Sequence, residues 1–111
     1  MLARDFQRVY RSGGRARGSS LVVVACENEL EVTRLGLSVG RTIWKSAVKR
    51  NRIRRVFREA FRLSYAELPP GVDVILIPPQ PKFVPVLADI RAELARLVAQ
   101  ALARKAARRA T

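Results

Sequence analysis

Apolar residues recur along this chain with two rhythms, one of three to four residues and one of two, and the changes of rhythm mark its elements. Leu2, Phe6, Val9 and Tyr10 fall on one side of a short helix that Ser12-Gly13-Gly14 closes. Arg11 to Ser20 is a Gly/Ser/Arg stretch, expected to be a flexible loop that either touches RNA phosphates or serves only as a mobile connection. Leu21–Cys26 is a β-rich run, and Glu27-Asn28-Glu29 turns the chain into Leu30–Val39. There Leu35, Leu37 and Val39 alternate with Gly36 and Ser38, as in a half-buried strand. The two runs are expected to pair as an antiparallel hairpin. Ile53, Val56, Phe57, Ala60 and Phe61 then form one apolar stripe of a long helix, capped by Ser46 and ending near Tyr65. Leu68-Pro69-Pro70-Gly71 stops it. Val72–Ile77 is nearly continuous apolar sequence, as in a central strand, and Pro78-Pro79 ends it. Leu87, Ile90, Leu94, Leu97 and Ala101 mark a second long amphipathic helix entered through Pro85, and Arg104–Thr111 is a basic tail expected to fray.

The order is α-β-β-α-β-α, an α+β fold with helices packed on one small, mostly antiparallel sheet. The strands on either side of the long helix should be parallel, and the general rule makes such a crossover right-handed. No internal repeat and no second domain interrupts residues 1–111, a length typical of a single domain.

Charge changes the picture most. The hydrophobic fraction is 49%, normal for a globular domain, yet the formal net charge is +13. Lysine occurs only at Lys45, Lys49, Lys82 and Lys105, so arginine supplies most of it. Its planar fork matches phosphate oxygens and its face stacks on bases, which makes nucleic acid the first expected partner. The excess is concentrated on the long helix and its approach. Lys45, Lys49, Arg50, Asn51, Arg52, Arg54, Arg55, Arg58 and Arg62 are the candidate RNA-binding residues there, with Glu59 the one acid. Arg50, Arg54, Arg58 and Arg62 stand at four-residue steps, where like charges repel. A merely solvated helix would interleave glutamates, so an anionic partner is expected on this face. Asn51, inside the helix, is expected to orient a neighbouring group or to bond a nucleotide.

Other chemistry is sparse. Histidine is absent, which removes the commonest general base and zinc ligand, and Cys26 is alone in an apolar run, where it reads as a small buried hydrophobe. The acids are scattered singly, with no metal-ligand spacing beyond Glu27/Glu29/Glu31. Ser46-Ala47-Val48-Lys49 fits a short Ser-x-x-Lys pattern, but the companion motifs of serine acyl-transfer enzymes are missing and Ser46 reads as a helix cap. Gly36 and Gly40 lack the spacing of a phosphate loop. No catalytic site is expected in the protein itself. Apolar runs are too short to span a bilayer and no signal region opens the chain, so a soluble, cytoplasmic protein with no membrane partner and no small-molecule substrate is expected. Phe6 and Tyr10 share one side of the first helix; by spacing alone they are core, or exposed rings that stack on single-stranded bases. Trp44 reads as a core or interface plug.

Three pieces of this order resemble the protein subunit of bacterial ribonuclease P. They are Asp5-Phe6-Gln7-Arg8-Val9-Tyr10, then Leu35-Gly36-Leu37-Ser38-Val39, then Ala47 to Arg55 around Arg50-Asn51-Arg52, continuing through Phe57 to Arg62. The resemblance covers essentially the whole chain and is weakest after Pro78. It implies a fold like ribosomal protein S5 domain 2, with a left-handed crossover at the basic helix, against the general rule. It implies a catalyst made of RNA, bound by the protein along that helix, with magnesium ions held together with the RNA subunit. It also implies a cleft between the first helix and the sheet that takes the 5′ leader of precursor tRNA, with Phe6, Tyr10 and Val24 as its candidate residues. Val24 stands where the family often has an aromatic, and Gly40-Arg41-Thr42-Ile43-Trp44 replaces a turn that often holds two lysines and a glycine. The runner-up reading is a ribosomal or other structural RNA-binding protein without a part in cleavage. An independent enzyme is disfavoured by the missing histidine and carboxylate pairs.

Overall fold

The computed structural model describes residues 1–110. Helix α1 is Ala3–Ser12, followed by strands β1 (Gly14–Arg17), β2 (Val22–Glu27) and β3 (Arg34–Leu37). Helix α2 is Ala47–Ser64, prolonged by a 3-10 turn at Tyr65–Glu67, then β4 (Val72–Ile77) and α3 (Leu87–Ala110). The strands lie in the order β1-β2-β4-β3. β1 with β2 and β2 with β4 are antiparallel, whereas β3 with β4 is parallel, as the intervening helix led us to expect.

Two expectations about the sheet are corrected. The runs read as a hairpin, β2 and β3, do not touch; β4 is inserted between them. Val22–Cys26 and Val72–Leu76 are buried throughout, so each needs neighbours on both sides, whereas β3 is short and half-buried and serves as an edge. The stretch read as a loop contains β1, giving the order α-β-β-β-α-β-α. Its small residues follow from packing: a Cβ on Gly14 would collide with the carbonyl of Ala101 in α3. Gly14 and Ala16 face that helix, leaving Arg15 and Arg17 exposed.

Alternate residues of the strands feed two cores. Val23, Ala25, Val74 and Leu76 pack with Ile53, Phe57 and Ala60 of α2 and with Ile90, Leu94, Leu97 and Ala101 of α3. On the opposite face Val24, Cys26 and Ile75 pack beneath Val9 and Phe6 of α1. Gly36 lets that helix come close, since a Cβ there would stand 2.8 Å from Phe6 Cζ. The expected frayed tail is instead docked. α3 runs on to Ala110, the Lys105 ammonium pairs with the Glu27 carboxylate, and Arg104 Nη1 donates to the Arg15 carbonyl at 2.9 Å. Arg108 Nη2 donates to the Gly13 carbonyl at 2.6 Å. Backbone carbonyls at the α1–β1 corner thus hold the end of the chain in register. Thr111, the last residue of the expected tail, lies outside the described residues.

Candidate RNA-binding surface

Helix α2 begins where Ser46 Oγ accepts the Lys49 N–H at 3.3 Å. It buries Ile53, Phe57, Ala60 and Ser64 and turns the remaining positions to solvent or to its flanks. Residues four apart drift by about 40° around a helix of 3.6 residues per turn. The arginine row therefore curls from the sheet side to the outside. Arg50 Nη1 donates to the Trp44 and Lys45 carbonyls, both at 2.8 Å, closing the turn before the helix. Arg54 Nη2 donates to the Val39 carbonyl at 2.9 Å, and its Nη1 to Asn51 Oδ1 at 2.9 Å. Asn51 thus orients a neighbour, one of the two roles expected for it. Arg62 pairs with Glu59, whose carboxyl is held below its ordinary value by that hydrogen bond.

Arg58 of this row and three cations beside it are the unneutralised charges. Lys45, Arg52, Arg55 and Arg58 are exposed and, among the described residues, none pairs with a carboxylate. Lys49 is also exposed, with Nζ 3.9 Å from the centroid of the Trp44 ring. The expected RNA-binding residues thus gather on α2 and, for Lys45, on the turn before it. Arg50 and Arg54 are latched to backbone carbonyls, Asn51 holds Arg54, Arg62 is tied to Glu59, and Lys45, Lys49, Arg52, Arg55 and Arg58 present positive charge to solvent.

The residues expected to line a leader cleft lie on the opposite face of the sheet. Phe6 and Tyr10 stand with ring centroids 6.4 Å apart; Phe6 is half-buried over the second core and Tyr10 is 42% exposed. Val24 is corrected: at 2% exposed it is floor beneath α1, not a contact surface. Its neighbour across the ladder is Arg15, and Arg17 lies opposite Val22, so both cations belong to this same face. Sequence reasoning allowed their stretch to touch RNA phosphates but took it for a loop; the alternation Gly-Arg-Ala-Arg was the available signal of a strand. Arg17 also donates to the Pro79 carbonyl at the end of β4.

One buried carboxylate fixes α1 to this face. Asp73, fully buried, pairs with Arg8 of α1 and with Arg34 of β3, and accepts Asn28 Nδ2 at 2.9 Å. Burial pushes its carboxyl up, but the hydrogen bonds from Arg34 and Asn28 and the charges of Arg34 and Arg8 outweigh that and hold it below the ordinary carboxylate range. Asp5 is also lowered, chiefly by the Leu2 backbone N–H and then by Arg34, 3.4 Å away. These two acids are committed to arginines and do not form a metal cradle. Among the described residues no three His, Cys, Asp or Glu side chains gather to hold an ion.

A family model described as Ribonuclease P matches residues 2–107. The chain belongs to the ribonuclease P family. It is similar to the ribonuclease P protein component of Ectopseudomonas mendocina, 43% identical over 75 residues that make up 67% of this chain and 55% of that one. To the component of Clostridioides difficile it is 38% identical over 74 residues, 66% of this chain and 64% of the relative. The matches therefore span less than two thirds of those relatives' length. Among solved structures, the Staphylococcus aureus RNase P protein superposes with a TM-score of 0.75 at 31% identity, covering 92% of this chain and 94% of that one. The Thermotoga maritima protein gives 0.66 at 30% identity, covering 86% and 79%. The α+β architecture is thus that of ribonuclease P proteins. Among the described residues no helix is long and apolar enough to cross a membrane.

Proposed function

We propose that the chain is the protein subunit of ribonuclease P, a cytoplasmic ribonucleoprotein endonuclease that removes the 5′ leader of precursor tRNA. The observation that carries this reading is the outward face of α2 and the turn before it, where Arg52, Arg55, Arg58 and Lys45 stand exposed without acid partners in a chain of that family. Such a face neutralises phosphates and releases their counterions. In this reading the catalytic RNA lies along α2. The leader crosses the α1 side of the sheet, with Tyr10 as stacking ring, Phe6 behind it and Arg15 and Arg17 beside the phosphates. The RNA carries the cleavage chemistry. The carboxylates of the protein do not fit a protein-held magnesium site, so the ions belong with RNA phosphates, the oxygen donors such a cation prefers.

The test is cleavage of precursor tRNA at low magnesium, with the protein alone, the ribonuclease P RNA alone, and both. Protein alone should be inactive, and its addition should lower the magnesium the RNA needs. Cleavage by protein freed of contaminating RNA, or no effect on the RNA reaction, overturns the reading.

A further inference from the structure

The turn leading into α2 and the loop leading into α3 meet around Trp44 and enclose two hollows. The larger, about 550 Å³, is an open groove to which Arg41, Lys45, Lys49 and Lys82 contribute cations. The smaller, about 120 Å³, is mostly apolar, with Phe83, Val84 and Pro85 facing Trp44. Trp44 and Lys49 belong to both, and no carboxylate lines either. The walls are fixed rather than loose. Trp44 Nε1 donates to the Phe83 carbonyl at 2.8 Å, and the Lys82 N–H donates to the Ile43 carbonyl at 2.7 Å. Lys82 sits at φ 56°, a left-handed conformation that is strained for a lysine and is found where the surroundings impose it. A cationic groove beside a rigid apolar slot with an indole wall matches the two halves of a nucleotide, phosphate and base.

We propose that these joined hollows form a subsite for one unpaired nucleotide of an RNA. Its phosphate lies in the groove of Arg41, Lys45 and Lys82, and its base in the slot against Trp44, Val84 and Pro85. A paired base would have to give up its pairing and stacking to enter such a slot, so the nucleotide comes from a bulge, loop or single strand. The inference rests on the RNA-binding reading of α2 and adds base contact to a surface otherwise explained by charge alone.

Trp44 is the chain's one tryptophan, so its fluorescence reports this site alone. The probes are an adenine hexaribonucleotide, an abasic hexamer with the same phosphates, and hexaglutamate. The adenine hexamer should quench Trp44 and bind about tenfold or more tighter than the abasic one, which should leave the emission nearly unchanged. Val84→Glu, at a position 64% exposed, should abolish the quenching. Lys82→Asn removes an ammonium where asparagine tolerates the backbone better. It should weaken the hexamer several-fold with Tm unchanged or raised, an outcome misfolding does not produce. Equal quenching by the abasic hexamer or hexaglutamate, or an unaffected Val84→Glu variant, overturns the subsite. Hexamer binding without any change in Trp44 emission also overturns it while leaving RNA binding by α2 intact. Absence of affinity for every RNA, folded or single-stranded, overturns both.

Discussion

Arg54 joins local structure to function in a single side chain. One arm of its guanidinium holds the chain just past β3 through the Val39 carbonyl, and the other is held by Asn51. Arg54→Gln should therefore cost stability, about 1 kcal/mol for a charged hydrogen bond partly open to water, and also weaken RNA binding. Asn51→Ala, at an exposed position, should leave Tm within a degree or two but lower affinity several-fold by freeing Arg54; thermal melts beside filter binding separate the two. Asp73 is the strictest single position. Asp73→Asn leaves Arg8 without its anion and Arg34 with only Asp5, and since their side chains are 37% and 33% exposed and can reach water, we expect a loss of about 2 kcal/mol in urea unfolding. Tyr10→Ala should weaken binding of leader-bearing precursor by about 1–2 kcal/mol while sparing mature tRNA. Phe6→Ala should lower stability as well, because that ring also covers the second core. Sequence spacing presented Phe6 and Tyr10 as equivalent, and it could not separate them because only the approach of α1 to Gly36 decides which ring is covered.

At the scale of elements, the sequence displayed helices better than strand neighbours. The apolar stripe and Ser46 cap located α2, and the prolines bracketed β4, since these signals lie within the element itself. Partner choice between strands depends on segments far apart in the chain, so the β2–β3 hairpin looked plausible until β4 was placed. β1 escaped because its glycine and alanine, which resemble a loop in composition, are what α3 requires of a strand it touches. The basic character of α2 was legible, but the division of labour along it was not. Replacing Arg52, Arg55 and Arg58 with Gln should flatten the slope of log affinity against log salt by about two to three, at about 0.7–0.9 per phosphate contact. Stability should hold or rise as like charges are relieved. The corresponding change at Arg50 and Arg54 should instead lower Tm, because those arginines satisfy carbonyls.

For the molecule as a whole, charge sets the response to pH. Asp5, Asp73 and Glu93 all have carboxyls below their ordinary values in the folded state. Their contribution is complete above about pH 5, where the unfolded chain is ionised too, and is lost as pH falls through the lower folded values. With no histidine in the chain, Tm should be flat between about pH 5 and 8 and fall below pH 4, as thermal melts across buffers would reveal. The central place of β4 has a consequence for synthesis of the chain. β2 and β3 are made early yet have no shared neighbour until residues 72–77 arrive, and β1 waits longer still for α3. A growing chain on the ribosome therefore exposes the apolar Leu21–Cys26 segment, together with the arginines of α2, until α3 has emerged. Folding is then a late, abrupt event: nascent chains arrested at Leu68 should be cut rapidly by protease, and only those extended through α3 should resist.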